Sequence, residues 1–179
     1  MVQPVRTDTP ATESEVALSG RTALVTGSSR GIGRAIAISL AEVGADVVVN
    51  YRSGQEAAEE TVSRIGEAGQ EAIAVQADVS AEEDLVALVE ATESELGTID
   101  VLVNNAGIAR HVPTDDLTRE EWDVHMATNL TAAFLLTQAV VPAMGEQGWG
   151  RIINVSSVAA QNGGIIGPHY EHPRPVCLG

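Results

Sequence analysis

The sequence predicts an α/β fold, a doubly wound parallel sheet with helices on both faces. Three observations carry that reading. From Leu18 onward, short apolar runs rich in β-branched residues alternate with longer stretches of helical spacing. Several short runs are apolar at nearly every position, as strands covered on both faces must be. The first run passes directly into a glycine-rich turn and then a helical stretch.

Taken in order, residues 1–17 hold three threonines, two prolines and several charges with no apolar period, and read as a flexible lead-in. Strands are expected at 22–26, 46–50, 72–76, 99–103 and 151–155, and helices at 31–43, 56–68, 81–96 and 118–144. Gly44 and Gly69 stand where glycines end helices, and Ser80 with Glu83 has the form of a capping box. The doubly wound pattern, with right-handed crossovers, implies the strand order 3-2-1-4-5, which would leave the fifth strand with an unpaired edge. The stretch 118–144 is uncharged over 130–145, more apolar than a one-sided surface helix needs, and is expected to meet another copy of the chain. Trp122 and Phe134 on it are assigned to the core or that interface.

The 179 residues suit one domain, and the net charge of −15 argues against nucleic acid and against an anionic membrane surface. One cysteine, Cys177, excludes an internal disulfide and a thiolate metal cluster. The N-terminus lacks the apolar core of a secretory signal. The uncharged stretch 130–145 is interrupted by Pro142 and falls short of the about 20 apolar residues of a membrane span. A cytoplasmic protein is expected. His111, His125, His169 and His172 show no metal-ligand spacing, so they are given no chemistry and no metal is expected.

The turn reads Thr26-Gly27-Ser28-Ser29-Arg30-Gly31-Ile32-Gly33. A dinucleotide pyrophosphate needs a turn without side-chain bulk and the free N–H groups of a helix N-terminus. Gly27 allows the tight turn, Gly31 the approach of backbone to phosphate, and Gly33 close packing of the helix on the strand. Ser29, Arg30 and Ile32 complete this candidate site. The second strand ends Asn50-Tyr51-Arg52-Ser53, without the carboxylate that binds a ribose 2′-hydroxyl. Arg30 and Arg52 suit a 2′-phosphate instead, which favours NADP over NAD.

The T-G-x-x-x-G-x-G spacing resembles the short-chain dehydrogenase/reductase family, classical type, a Rossmann fold. Further motifs follow in the family's order: Asp78 after strand three, Asn104-Asn105-Ala106-Gly107 after strand four, Asn129 within Ala127-Thr128-Asn129-Leu130, Ser156-Ser157 closing strand five, and Tyr170 thirteen residues beyond Ser157. The resemblance spans 18–170, and the wording is most similar to 3-oxoacyl-[acyl-carrier-protein] reductases. It implies an NADP-dependent oxidoreductase moving a hydride between nicotinamide and a ketone or secondary alcohol, and a homo-oligomer for the full-length parent. It implies that Asp78 holds the adenine and that Asn105 and Gly107 belong to the cofactor site. By the same resemblance Tyr170 is the acid/base, Ser157 polarises the substrate oxygen and Asn129 holds a relay water. Ser156 is read as structural.

The tail departs from the pattern. Arg174 stands where the family has a lysine, and Pro175 after it opposes the helix that should carry both residues. The expectation is an incomplete domain with an aberrant tail at 171–179, lacking further strands and the substrate loop. A one-base shift at codon 171 would read the tail as a helix-forming segment with lysine at position 174, so a reading-frame error just after Tyr170 is expected. Two readings therefore stay open for the chain itself: the oxidoreductase that the motifs encode, and a non-catalytic nucleotide-binding remnant, which the tail favours.

Overall fold

The structure is a computed structural model that describes residues 17–157, 159 and 166–171. The expectations for residues 1–16 and for His172, Arg174, Pro175 and Cys177 lie outside the described residues. The elements run β1 (Arg21–Val25), α1 (Gly31–Glu42), β2 (Ala45–Tyr51), α2 (Gln55–Glu67), β3 (Ala72–Gln76), α3 (Glu82–Glu95) and β4 (Ile99–Asn104). After a single 3-10 turn (Thr114–Asp116) come α4 (Arg119–Met126), a π-helical turn (Ala127–Thr131), α5 (Ala132–Gln147), β5 (Arg151–Asn154) and the short α6 (Pro168–Glu171).

All strand pairs are parallel, in the order β3-β2-β1-β4-β5 expected from the alternating pattern. Side chains alternate across the sheet, which explains why the strands are apolar throughout. Ala23, Val25, Val47, Val49, Val101 and Val103 face α1 and α2. Leu24, Val48 and Leu102 face α3 and α5, where Leu85, Leu88, Leu136 and Val140 meet them. Leu24, Val48 and Leu102 are fully buried, each contributing about 2 kcal/mol relative to exposure. Among the described residues β5 pairs only with β4 and forms the edge, where Ile153 is 45% exposed.

At the N-terminal end of the sheet, the buried Asp100 on β4 gathers three donors. It accepts from Arg21 Nη1 at 2.7 Å, Thr22 N–H at 3.0 Å and Gln147 Nε2 at 3.0 Å, so one carboxylate joins β1, β4 and the end of α5. Arg21 also lies over the Trp149 ring, 4.2 Å from its centroid.

Helix punctuation follows expectation at Gly44 (φ +98°) and Gly69 (φ +86°), whose N–H groups reach Ala41 O and Gly66 O. It departs at one place. The Ser80–Glu83 capping box does not form: α3 begins at Glu82 with Ala81 before it, because Ser80 donates its hydroxyl backward to Asp78 Oδ1 at 2.7 Å. Pro142 lies within the helix expected at 118–144 and does not divide it. The helical run Arg119–Gln147 continues for 29 residues, long and apolar enough to cross a membrane by length and composition alone. Leu136, Val140 and Met144 bury one face of that run on the sheet, and Pro142 points outward, where its missing donor is tolerated. Phe134 is 61% exposed and so is no part of the core, while Trp122 is half-buried.

Candidate functional site

The site is built where β1, β2 and β4 end. Thr26, one residue past β1, donates its hydroxyl to Val103 O and accepts the N–H groups of Asn105 and Ala106, both at 3.0 Å. The glycine turn and the loop after β4 are thereby fastened side by side. Asn50, in β2, supports the turn from below. Its Oδ1 accepts the Gly27 N–H at 3.0 Å, its carbonyl accepts the Ser28 N–H, and its Nδ2 donates to Ala77 O. Asn105 then donates Nδ2 to Thr26 O at 2.8 Å and to Gly27 O at 3.1 Å.

Gly27 turns at φ +62° and Gly31 at φ +59°, conformations that favour glycine. A Cβ at Gly31 would meet nothing within 4 Å, which leaves the space a phosphate needs. Gly33 has the opposite surroundings: a Cβ there would stand 2.5 Å from both Gly27 O and Asn105 Nδ2. Its close approach is to the turn and the Asn105 amide rather than to a strand, because the turn folds back over the first helical residues. Arg30, at the N-cap of α1, makes no side-chain cap, and the first turn of α1 contains no carboxylate. Helices α2, α3 and α4 all carry acidic residues in their first turns, and Thr118 caps α4 as well. The N–H groups opening α1 are thus the ones suited to an outside anion.

A cleft of about 310 Å³ opens over this turn. Gly27, Ser29, Arg30, Ile32 and Gly33 form one wall, and Arg52, Asp78, Asn105 and Gly107 contribute to the rest. Thus all the expected cofactor residues except Gly31 line the cleft, joined by Asn50 and Thr128, to which no role was assigned. Arg52 Nη1 lies 3.8 Å from Asp78 Oδ2. Burial pushes the Asp78 carboxyl up, but the Ser80 hydroxyl and amide and the Arg52 guanidinium together outweigh it and hold it below the usual value. Asp78 therefore presents a charged acceptor to the cleft.

The expected catalytic residues lie around this cleft rather than in its lining. Asn129 is buried in the π-helical turn, where it clasps Ile108: Oδ1 accepts the Ile108 N–H at 2.8 Å and Nδ2 donates to Ile108 O at 3.0 Å. It borders a second cavity of about 10 Å³ with Thr26, Asn104 and Val155, room for one water. Ser157 follows β5, half-buried, and its Oγ accepts the Ala159 N–H at 3.3 Å. Tyr170 is buried on α6, its amide bonded to Gly167 O. Neither Ser157 nor Tyr170 lines the cleft.

Sequence reasoning missed Asn50, the organising part of Thr26, and the pairing of His125 with His169. A polar residue inside an otherwise apolar strand was the available signal for Asn50 and also for Asp100.

The family model described as short chain dehydrogenase matches residues 21–171. The chain is 47% identical over 163 residues to a 3-oxoacyl-[acyl-carrier-protein] reductase of Synechocystis sp., covering 91% of this chain and 66% of that protein. It is 44% identical to the 3-oxoacyl-[acyl-carrier-protein] reductase FabG of Staphylococcus aureus, covering 89% of this chain and 65% of that one. Thus the chain spans about two thirds of the length of these curated relatives. Among solved structures, a protein described as a short-chain alcohol dehydrogenase from Sinorhizobium meliloti 1021 superimposes with a TM-score of 0.86 at 39% identity, covering 92% of this chain and 65% of that one. A metagenomic short-chain oxidoreductase in complex with NADP gives 0.83 at 40% identity, covering 88% and 72%. With such matches laid over the very stretch that folds into this sheet and turn, the chain belongs to the short chain dehydrogenase family.

Proposed function

We propose that the protein binds NADP(H) in the cleft over the glycine turn and serves as a cytoplasmic 3-oxoacyl-type ketone reductase. The observation that carries this is the opening of α1: alone among α1 to α4 it has neither a capping side chain nor a first-turn carboxylate, and Arg30 and Arg52 stand beside it. The α1 N–H groups and Gly31 receive the pyrophosphate, the two arginines receive the 2′-phosphate, and Asp78 accepts from the adenine amino group. NADPH supplies the hydride when bound. In this reading Tyr170 passes a proton to the substrate oxygen, Ser157 hydrogen-bonds that oxygen, and Asn129 holds the Ile108 loop and the adjoining water space. The relatives named for 3-oxoacyl-acyl-carrier-protein reduction and the NADP-bound neighbour support the same reading.

The expected result is binding of NADP+ about tenfold or more tighter than NAD+, with the preference lost in an Arg30→Ala/Arg52→Ala double variant. Fluorescence titration of both nucleotides checks it, and tighter binding of NAD+ refutes the cofactor assignment. An NADPH-consumption assay with a β-ketoester tests the reaction, in which Tyr170→Phe is expected to stop turnover and leave binding intact. A second reading, nucleotide binding without turnover, is favoured by the position of Ser157 and Tyr170 outside the cleft lining. Binding with no Tyr170-dependent consumption would establish it.

The exposed Phe134 (61%) and Val141 (46%), seven residues apart on α5, are proposed to meet a second copy of the chain. Phe134→Asp is expected to shift size-exclusion elution toward the monomer. Unchanged elution of the variant and wild type would remove that face from consideration.

A further inference from the structure

Two histidines with no part in the reaction above meet where the Tyr170 segment docks. His125 on α4 and His169 on α6 are both fully buried. Their ring centroids are 4.3 Å apart with planes at 84°, an edge-to-face contact. Both rings reach the backbone of one residue. Arg110 N lies 3.4 Å from His125 Nε2, and Arg110 O lies 3.0 Å from His169 Nε2. On its other side His125 Nδ1 is 2.8 Å from Glu121 O.

These partners assign the tautomers, since a carbonyl oxygen can only accept. His125 carries its proton on Nδ1, leaving the Nε2 lone pair for the Arg110 N–H. His169 carries its proton on Nε2 and donates to Arg110 O. The remaining nitrogen, His169 Nδ1, is buried without a hydrogen-bond partner. That lone pair is a cost which an apolar residue of similar size would avoid. What the imidazole adds over an apolar filler is one directed donor in a fixed plane.

The segment is pressed close to the same loop. Val112 N–H donates to Ile166 O at 3.3 Å, and Gly167 sits at φ +125° where a Cβ would come within 3.0 Å of Val112 O. The loop itself begins with Asn105 and Gly107 in the cleft lining and continues through Ile108, held by Asn129 from both sides. The loop that begins at the wall of the cleft is thus held at Ile108 by Asn129, at Arg110 by both histidines and at Val112 by Ile166, ending beside Tyr170.

We propose that His169, locked in plane by His125, is a positioning residue that sets where Tyr170 stands relative to the nucleotide cleft. The proposal rests on Tyr170 as the proton-transferring group, and two of its readouts are independent of that assignment. The first is ring-nitrogen NMR of the wild-type chain, expected to show the Nδ1–H form for His125 and the Nε2–H form for His169. The reverse assignment of His169 overturns the proposal whether or not any variant folds.

The second is hydrogen exchange at the Tyr170 amide in His169→Leu, which fills the space without a donor, and in His169→Gln, which retains one. His169→Leu is expected to exchange about tenfold faster than wild type, the effect of losing one directed hydrogen bond, and His169→Gln to recover most of the protection. Equal exchange in the two variants, or wild-type exchange in His169→Leu, overturns the proposal. Turnover completes the test: His169→Leu is expected to lower kcat about tenfold or more with NADPH affinity unchanged. If wild type turns nothing over while the tautomer and exchange results hold, the enzymatic reading fails and the anchoring of Tyr170 by His169 stands.

Discussion

Replacing Gly33 by alanine is expected to destabilise the protein by about 3 kcal/mol and to abolish nucleotide binding. Alanine adds a methyl that would stand 2.5 Å from Gly27 O, 2.5 Å from Asn105 Nδ2 and 2.9 Å from Ser28 Cα. Two of those atoms are backbone. The third belongs to an amide held by two carbonyls, so none retreats without breaking hydrogen bonds. Alanine gains about 1 kcal/mol of helix propensity over glycine, which is too little to reverse the sign. Gly31→Ala provides the comparison. Its methyl meets nothing, and only the positive φ opposes it, at about 1–2 kcal/mol. Urea unfolding of both variants should therefore rank Gly33→Ala well below Gly31→Ala. A Gly33→Ala protein within about 1 kcal/mol of wild type would show that the turn can open, contrary to the tight geometry described here.

Asp100→Ala is expected to cost about 3 kcal/mol without touching the nucleotide cleft. The loss has unequal parts. The Thr22 N–H is buried and loses its acceptor, a penalty of about 1–3 kcal/mol. Arg21 is 34% exposed at its side chain and turns partly to water and the Trp149 ring, so its share is smaller. Gln147 loses one of two acceptors and keeps Trp149 O. Asp100→Asn retains one carbonyl oxygen and should fall about midway. Denaturant midpoints for the pair, with nucleotide affinity measured alongside, check both statements. Equal losses for Ala and Asn would mean that charge, rather than acceptor count, holds this end of the sheet together.

How much of this was legible depended on whether a residue's role was local. Strand order and the two-faced core could be read because Ala23, Val25, Val47 and Val49 alternate with Leu24 and Val48, and both sets are apolar. The glycine turn was legible because its backbone demands fall within eight consecutive residues. Ser80 misled because a serine before a helix has two possible partners, and the upstream Asp78 took its hydroxyl. The helix expected at 118–144 runs through Pro142 because the sheet holds Leu136, Val140 and Met144 in place. Asn50 and Asp100 read as ordinary positions in strands, since their partners are brought in by folding from 23 to 79 residues away. Metal-ligand spacing is a matter of intervals, whereas the relation of His125 to His169 is a contact across 44 positions. The intervals that picked out Asn129, Ser157 and Tyr170 order these residues along the chain. Where each side chain comes to rest is decided by the π-helical turn, β5 and α6, which the spacing does not describe.

The bare opening of α1 bears on how long the polypeptide lasts as well as on what it holds. Thr118 lets α4 finish itself from its own sequence, whereas α1 leaves its first donors to be completed by a solute. A guest that completes them is, thermodynamically, a detachable piece of the native state. With nucleotide at a hundred times its dissociation constant, the folded form gains about 2.7 kcal/mol. That is as large as the damage expected from either substitution above. A cell well supplied with the dinucleotide would keep the chain folded and out of reach of proteases, and one depleted of it would lose protein as well as cosubstrate. Abundance of the polypeptide would then follow the redox nutrition of its host, with no regulator other than a helix that begins unfinished.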